Sequence, residues 1–141
     1  MKTKTMALVV VMVWCVMTAG ICQAAGTANG TIKKNGLVWL KDAGCLGKMN
    51  WNLAMARAQS LKSGECGLTD GSTAGDWRLP TINELQSISA STSQFNNVQD
   101  NHYWSSTTYG TLFAGIVFKD YGAIYSSKNT NFCVWAVRFE P

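Results

Sequence analysis

The 141-residue chain has a single histidine, His102, and no internal repeat, charge run or low-complexity tract. A Cys-His or Ser-His nucleophilic site would therefore have to be built on that one imidazole. Its place in "DNHYW", at the entry to a β-like stretch, fits a hydrogen-bonded structural histidine better than a base. Charge is scarce as well, at 14% of residues. Setting aside Lys2 and Lys4, ten Lys and Arg stand against eight Asp and Glu, a net charge of +2. That excess is too mild to point to nucleic acid.

The one long uncharged stretch, Thr5 to Ile21, follows Lys2 and Lys4 and runs into Cys22-Gln23-Ala24 before Ala25. This reads as a secretory signal peptide, residues 1–24, cleaved after Ala24. The rival is a retained anchor, for which a run of roughly 17 residues is at the short limit. A lipid-modified Cys22 is disfavoured, because Ile21 ahead of it is too large for such a processing site. The remainder, 25–141, is one domain's worth of chain with no membrane span, expected in the periplasm or outside the cell.

Removal of the leader takes Cys15 and Cys22 and leaves Cys45, Cys66 and Cys133 for an oxidising compartment. Cys45 and Cys66 flank one predicted helix, and a disulfide closing that loop of about twenty residues stabilises by roughly 3 kcal/mol. Cys133 is left over. Alternation in "NFCVWAVRF" puts Cys133, Trp135, Val137 and Phe139 on one strand face and Val134, Ala136 and Arg138 on the other. A buried, inert thiol is the expectation there.

Small polar residues at 25–35 suggest a flexible lead-in, and "GLVWLKD" (36–42) a strand. Trp51, Met55, Ala58 and Leu61 recur at helical spacing, with Asn50 as cap and Gly64 as the end. Residues 64–76 and 89–101 read as loops. After Pro80, Thr81-Ile82-Asn83-Glu84 is a capping box, followed by the apolar stripe Ile82, Leu85, Ile88. "HYWSSTTY", "TLFAGIVF", "AIYSS" and "NFCVWAVRF" are β-like, joined by turns such as 119–122. Strand, two helices and three or four antiparallel strands make an α+β domain.

"GLVWLKD", "GDWRLPTINELQSI", "YWSSTTY" and "VWAVR", in this order, resemble the Lcl C-terminal domain family of bacterial exported proteins. The specific residues are Trp77, Arg78, Leu79, Pro80, Thr81 and Glu84, with Trp104 inside Tyr103–Thr107. The Arg78–Thr81 run with Glu84 is also similar to a signature of the formylglycine-generating enzyme group, elaborated relatives of the C-type lectin fold. The resemblance implies a C-type-lectin-like arrangement: two helices on a twisted antiparallel sheet, chain ends close together.

Formylglycine-generating enzymes hold copper with a pair of cysteines near the C-terminus; this chain offers only Cys133 there, so that activity is not carried over. The calcium-ligand tripeptides of sugar-binding C-type lectins are absent too, and the spacing of Asp70 and Asp76 around a glycine-rich loop matches no calcium loop. No cofactor or metal is expected. The Trp77–Thr81 stretch reads as a structural corner, with Arg78 pairing Asp76 or Glu84 or covering Trp77.

The functional-looking surface is the last third, where Tyr103, Tyr109, Tyr121 and Tyr125 lie amid Ser, Thr, Asn and Gly, the composition of adaptable binding surfaces. Lys119 and Lys128, on either side of a turn, are candidates to meet an anion. The namesake of the family acts in adhesion and recognises sulfated polysaccharide; here the charge excess is small and no collagen-like repeat multiplies weak contacts. The expected function is a non-catalytic binding or adhesion module for a glycan or a cell-surface protein, with Tyr109, Lys119, Tyr121, Tyr125 and Lys128 as its ligand surface. The alternatives are a metal- and Cys133-dependent oxidoreductase and a structural subunit of a surface assembly.

Overall fold

The computed structural model describes residues 28–119 and 121–141. The expected leader, 1–24, lies outside them. The described elements are β1 (Thr31–Lys34), β2 (Leu37–Leu40), β3 (Lys48–Met49), α1 (Trp51–Ser60), α2 (Ile82–Ser89), β4 (His102–Tyr109), β5 (Phe113–Phe118), β6 (Gly122–Ser127), β7 (Phe132–Cys133) and β8 (Val137–Phe139). Two sheets result, ordered β1-β2-β8 and β3-β7-β4-β5-β6. The α+β class holds, and the named strands pair antiparallel except β4 with β7, which meet in parallel at Tyr103 and Cys133.

The segment read as a loose lead-in is ordered over Thr31–Lys34, which pairs with Leu37–Leu40. The turn between them is Asn35-Gly36, both at positive φ, 54° and 74°. A two-residue hairpin turn needs that conformation twice in succession, and Asn-Gly is the pair that adopts it at least cost. Lys33 and Lys34 hid the strand, because on a sheet edge charge marks protection rather than absence of structure. β1 and β8 flank β2, so the two ends of the domain lie in one sheet.

"NFCVWAVRF" is not one alternating strand. Cys133, Val134, Trp135, Ala136 and Val137 are all buried, because the chain crosses here from the large sheet to the small one. Cys133 pairs with Lys48 in the large sheet, and Val137 with Trp39 in the small one. Between them Val134 N donates to Gly47 O and Ala136 O accepts from Leu40 N, each at 3.0 Å. A segment enclosed on every side has no wet face, and so carries no period of two.

Both helices start as their caps dictate. Asn50 Oδ1 accepts from Leu53 N at 3.0 Å, and Thr81 and Glu84 close the capping box. α1 ends at Ser60 rather than near Gly64: Leu61 turns extended, at φ −62° and ψ 137°. That exit buries Leu61 in the core and turns the chain toward Cys66, which is disulfide-bonded to Cys45. The buried stripe of α1 is Ala54 and Ala58, with Trp51 and Met55 at its margin.

Tryptophans tie the layers together through their indole N–H groups. Trp135 donates to Leu40 O at 2.7 Å, across the two sheets. Trp104 donates to Met49 O and Trp51 to Ser105 O, each at 2.9 Å. Each indole thereby buries a large apolar surface while its one polar atom stays bonded.

α2 lies against β5 closely enough to require a residue without a side chain. A Cβ on Gly115 would meet Ile82 Cδ1 at 2.1 Å and Ser105 Oγ at 2.8 Å. Gly115→Ala is expected to destabilise the fold by about 1–3 kcal/mol. Chemical denaturation checks this, and Ile82→Val in the same chain, which removes Cδ1, should recover part of the loss.

Candidate functional site

The Trp77–Thr81 stretch is the place where sheet, helix and loop meet. Trp77 is fully buried, and its Nε1 donates to Ser72 Oγ at 2.9 Å. Arg78 forms an isolated antiparallel bridge with Val137, N to O at 2.9 Å in both directions. The Arg78 guanidinium takes Glu84 in a two-pronged pair, Nη1 to Oε2 at 2.8 Å and Nη2 to Oε1 at 2.9 Å. It also lies over the Phe139 ring, 4.8 Å from the centroid. Of the partners weighed for Arg78, the structure selects Glu84. Asp76 instead accepts from Thr73 N at 2.7 Å, and the cation over Trp77 is Arg138, at 5.3 Å.

Glu84 Oε2 serves Arg78 and the Thr81 amide together. The Arg78 hydrogen bond is the main cause that holds its carboxyl below the ordinary value of 4.5, outweighing partial burial. Asp70 lies deeper. Burial alone would raise it, yet hydrogen bonds from Ser72 and the Arg138 guanidinium leave it lowered.

The second signature run, Tyr103 to Thr107, meets the first. β4 advances four residues from Trp104 to Thr108 while β5 moves two, so the strand bulges there. The bulge turns polar groups onto the start of α2. Ser106 N donates to Pro80 O at 2.8 Å, and Thr107 Oγ1 accepts from Ile82 N at 3.1 Å. Buried Ser105 donates from Oγ to Gly115 O at 2.8 Å. Ser-Ser-Thr-Thr inside an apolar strand was the sequence signal for this contact, since bulges re-aim side chains.

The five candidate ligand residues do not form one surface. Tyr109 and Tyr125 come together, ring centroids 5.3 Å apart, and both are exposed, at 67% and 48%. Lys128 sits at the same end of the sheet but is committed to structure. Its Nζ lies 4.2 Å from the Trp51 ring centroid and donates to Thr111 O at 3.0 Å, while its own N bonds to Leu112 O. Lys119 and Tyr121 are at the opposite end of β6, roughly 17 Å along the strand. The two lysines are thus separated by a six-residue strand, not by a turn, and do not converge on one anion.

Lys119 borders an apolar recess lined by Leu85, Val98, Tyr103, Val117 and Trp135, of about 20 Å³, room for a single water. Tyr103 belongs to the core rather than to the surface: it is 4% exposed, its hydroxyl accepts from Gln99 N at 2.8 Å, and burial pushes it up to about 12. His102 packs between Phe118 and Phe132, at 5.0 and 5.4 Å. Cys133 is the free thiol, buried, and burial raises it despite Lys48 nearby. Among the described residues, no three of His, Cys, Asp and Glu cluster to hold a metal ion, and no helix is long and apolar enough to cross a membrane.

A disulfide-tied α+β domain whose charged and hydroxyl signature groups are bonded to one another is the class of protein that this geometry defines. The chain belongs to the Lcl C-terminal domain family, whose model matches residues 31–138. None of the curated proteins compared with it matches.

Replacing Glu84 tests the corner. Its stabilisation is present above the unfolded value and is lost as pH falls through the lowered folded value. Glu84→Gln is expected to cost about 1–3 kcal/mol at neutral pH. Urea melts at pH 7 and pH 3 should show the gap between parent and variant narrowing in acid.

Proposed function

We propose that the chain is an exported, non-catalytic binding module that recognises a glycan or a protein at the cell surface, working in the periplasm or outside the cell after cleavage behind Ala24. The observation that carries this reading is the exposed Tyr109–Tyr125 pair at the end of the five-stranded sheet. Tyrosines supply large, stiff, amphipathic contact area at low entropic cost. The Cys45–Cys66 disulfide supports an oxidising compartment. The domain ends meeting in one sheet, together with two helices, favour the C-type-lectin-like relationship that the resemblance implies.

An oxidoreductase built on Cys133 would need an accessible thiolate, and an assembly subunit bridged through Cys133 an accessible thiol. Burial opposes both. The groups of the signature that could act as acid or base are engaged with each other, which supports a binding role over catalysis.

The test is binding of the exported chain to a broad glycan array and to cell-surface protein extracts, at low and physiological salt, with and without calcium. Specific hits that fall at least tenfold with Tyr109→Ala and with Tyr125→Ala are expected, as for the central aromatic residues of an interface. Binding that both variants leave intact would put the ligand elsewhere.

A further inference from the structure

The register of the β4–β6 meander brings three exposed aromatic side chains onto one face. Tyr109 stands opposite Phe113, Phe113 opposite Ser127 and Gly115 opposite Tyr125. Partners across an antiparallel pair share a face, and so do residues two apart along a strand. Tyr109, Phe113 and Tyr125 therefore form a row over three neighbouring strands, on the side where Ile82 of α2 meets Gly115. Phe113 is open to solvent like the two tyrosines, at 44%. Backbones two strands apart are roughly 10 Å from each other, yet the Tyr109 and Tyr125 rings meet at 5.3 Å and 42°. The rings lean together, while Ile124, the next residue along β6, faces the other way.

The row is uncharged. No Lys, Arg, Asp or Glu occurs from Tyr103 to Phe118 or from Tyr121 to Ser127, and exposed Thr108 and Thr111 supply hydroxyls instead. The cation at this end of the sheet, Lys128, has its Nζ over the Trp51 ring and on Thr111 O. At the tip of the β4–β5 hairpin, Tyr109, Gly110, Thr111, Leu112 and Phe113 line an open recess of about 240 Å³. That is smaller than the pockets that enclose a whole drug-sized ligand, and it shares Tyr109 and Phe113 with the row. A recess of this kind suits one unit of a longer chain.

We propose that this row binds a neutral polysaccharide, with sugar rings lying on Tyr109, Phe113 and Tyr125 and one of them seated in the recess. The inference rests on the binding role proposed above and names the class of its ligand. A pyranose ring with equatorial hydroxyls has a face of C–H bonds, which meets the electron-rich face of an aromatic ring, while the hydroxyls at its rim bond to water or to threonine. A sulfated or carboxylated chain would bring its charge against those same negative ring faces, and among the described residues no cation stands on the row to neutralise it. A protein partner of ordinary interface size covers roughly 800 Å² on each side. Three rings in a line, with Ile124 turned away, have the shape of a track for a chain.

The test titrates the exported chain with soluble neutral polysaccharides, namely α- and β-linked glucans, a mannan and a galactan, and with heparin, by affinity electrophoresis and calorimetry at low and physiological salt. At least one neutral polysaccharide is expected to bind, with an affinity that changes less than about twofold between the two salts, since salt screens only charge attraction; heparin is expected not to bind. Phe113→Ala should lower the affinity about tenfold or more, as should Tyr109→Ala and Tyr125→Ala, with thermal melts showing the variants folded. Tyr125→Phe, which keeps the ring, should stay within about threefold of the parent, and this contrast with Tyr125→Ala serves even where Phe113→Ala unfolds. No neutral polysaccharide bound, or heparin bound through the same rings and released by salt, overturns the proposal. So does a cell-surface protein as the ligand of these rings, an outcome that leaves the binding role standing. Binding that Tyr109→Ala and Tyr125→Ala both leave intact removes this inference and the Tyr109–Tyr125 site together.

Discussion

A pair of main-chain hydrogen bonds between Arg78 and Val137 holds the two halves of the domain in register. From Cys133 to Val137 the chain crosses from the large sheet to the small one with every residue buried. Backbone groups in such a passage must find partners or cost several kcal/mol each. Gly47, Leu40 and Arg78 supply them, from a loop, a strand of the small sheet and the corner ahead of α2. Moving any of the three would strand a buried polar group, so the position of the corner follows from the crossing.

The corner in turn decides where α2 starts. With Arg78 bridged to Val137, its guanidinium reaches Glu84, which also caps Thr81. Helix dipole, capping box and ion pair converge on one carboxylate, and so they are not additive. The bulged strand meets the same helix start from the other side, through Ser106 and Thr107. Two stretches twenty-odd residues apart thus form one contact, which gives a physical reason for both to be specific features of the chain.

Local chemistry was legible from the sequence, and long-range enclosure was not. The Thr81–Glu84 capping box, the Asn50 cap, the Cys45–Cys66 bridge and the β4–β6 meander depend on neighbouring residues or on cysteine arithmetic, and the structure has them. The Asn35-Gly36 hairpin was equally local but was masked by two edge lysines. The crossing at 133–137 looked like an alternating strand, because buried Cys, Val, Trp and Ala have no polar member to reveal that both faces are covered. The two-residue strands β3 and β7 exist only through their pairing with each other and, for β7, with β4, and carry no period of their own. Lys119 and Lys128 seemed near each other because nine positions apart reads as a turn, whereas an extended strand holds them at opposite ends.

This division bears on function. Residues that make a stretch specific to the family are here consumed by folding: Trp77 and Leu79 by burial, Arg78 and Glu84 by each other, Trp104 by Met49. Altering a side chain engaged in that way disturbs the frame first. Around β6 the residues without such a folding task are Tyr109, Leu112, Ile124 and Tyr125, exposed on or beside an edge of the large sheet. The lysine stacked on Trp51 fixes the hairpin tip that carries Tyr109, so the exposed aromatic pair stands on a braced support. A braced aromatic surface loses little entropy on binding. On the proposed binding role, the sheet end that carries Tyr109 and Tyr125 is where a substitution alters recognition without disturbing the corner that holds the fold.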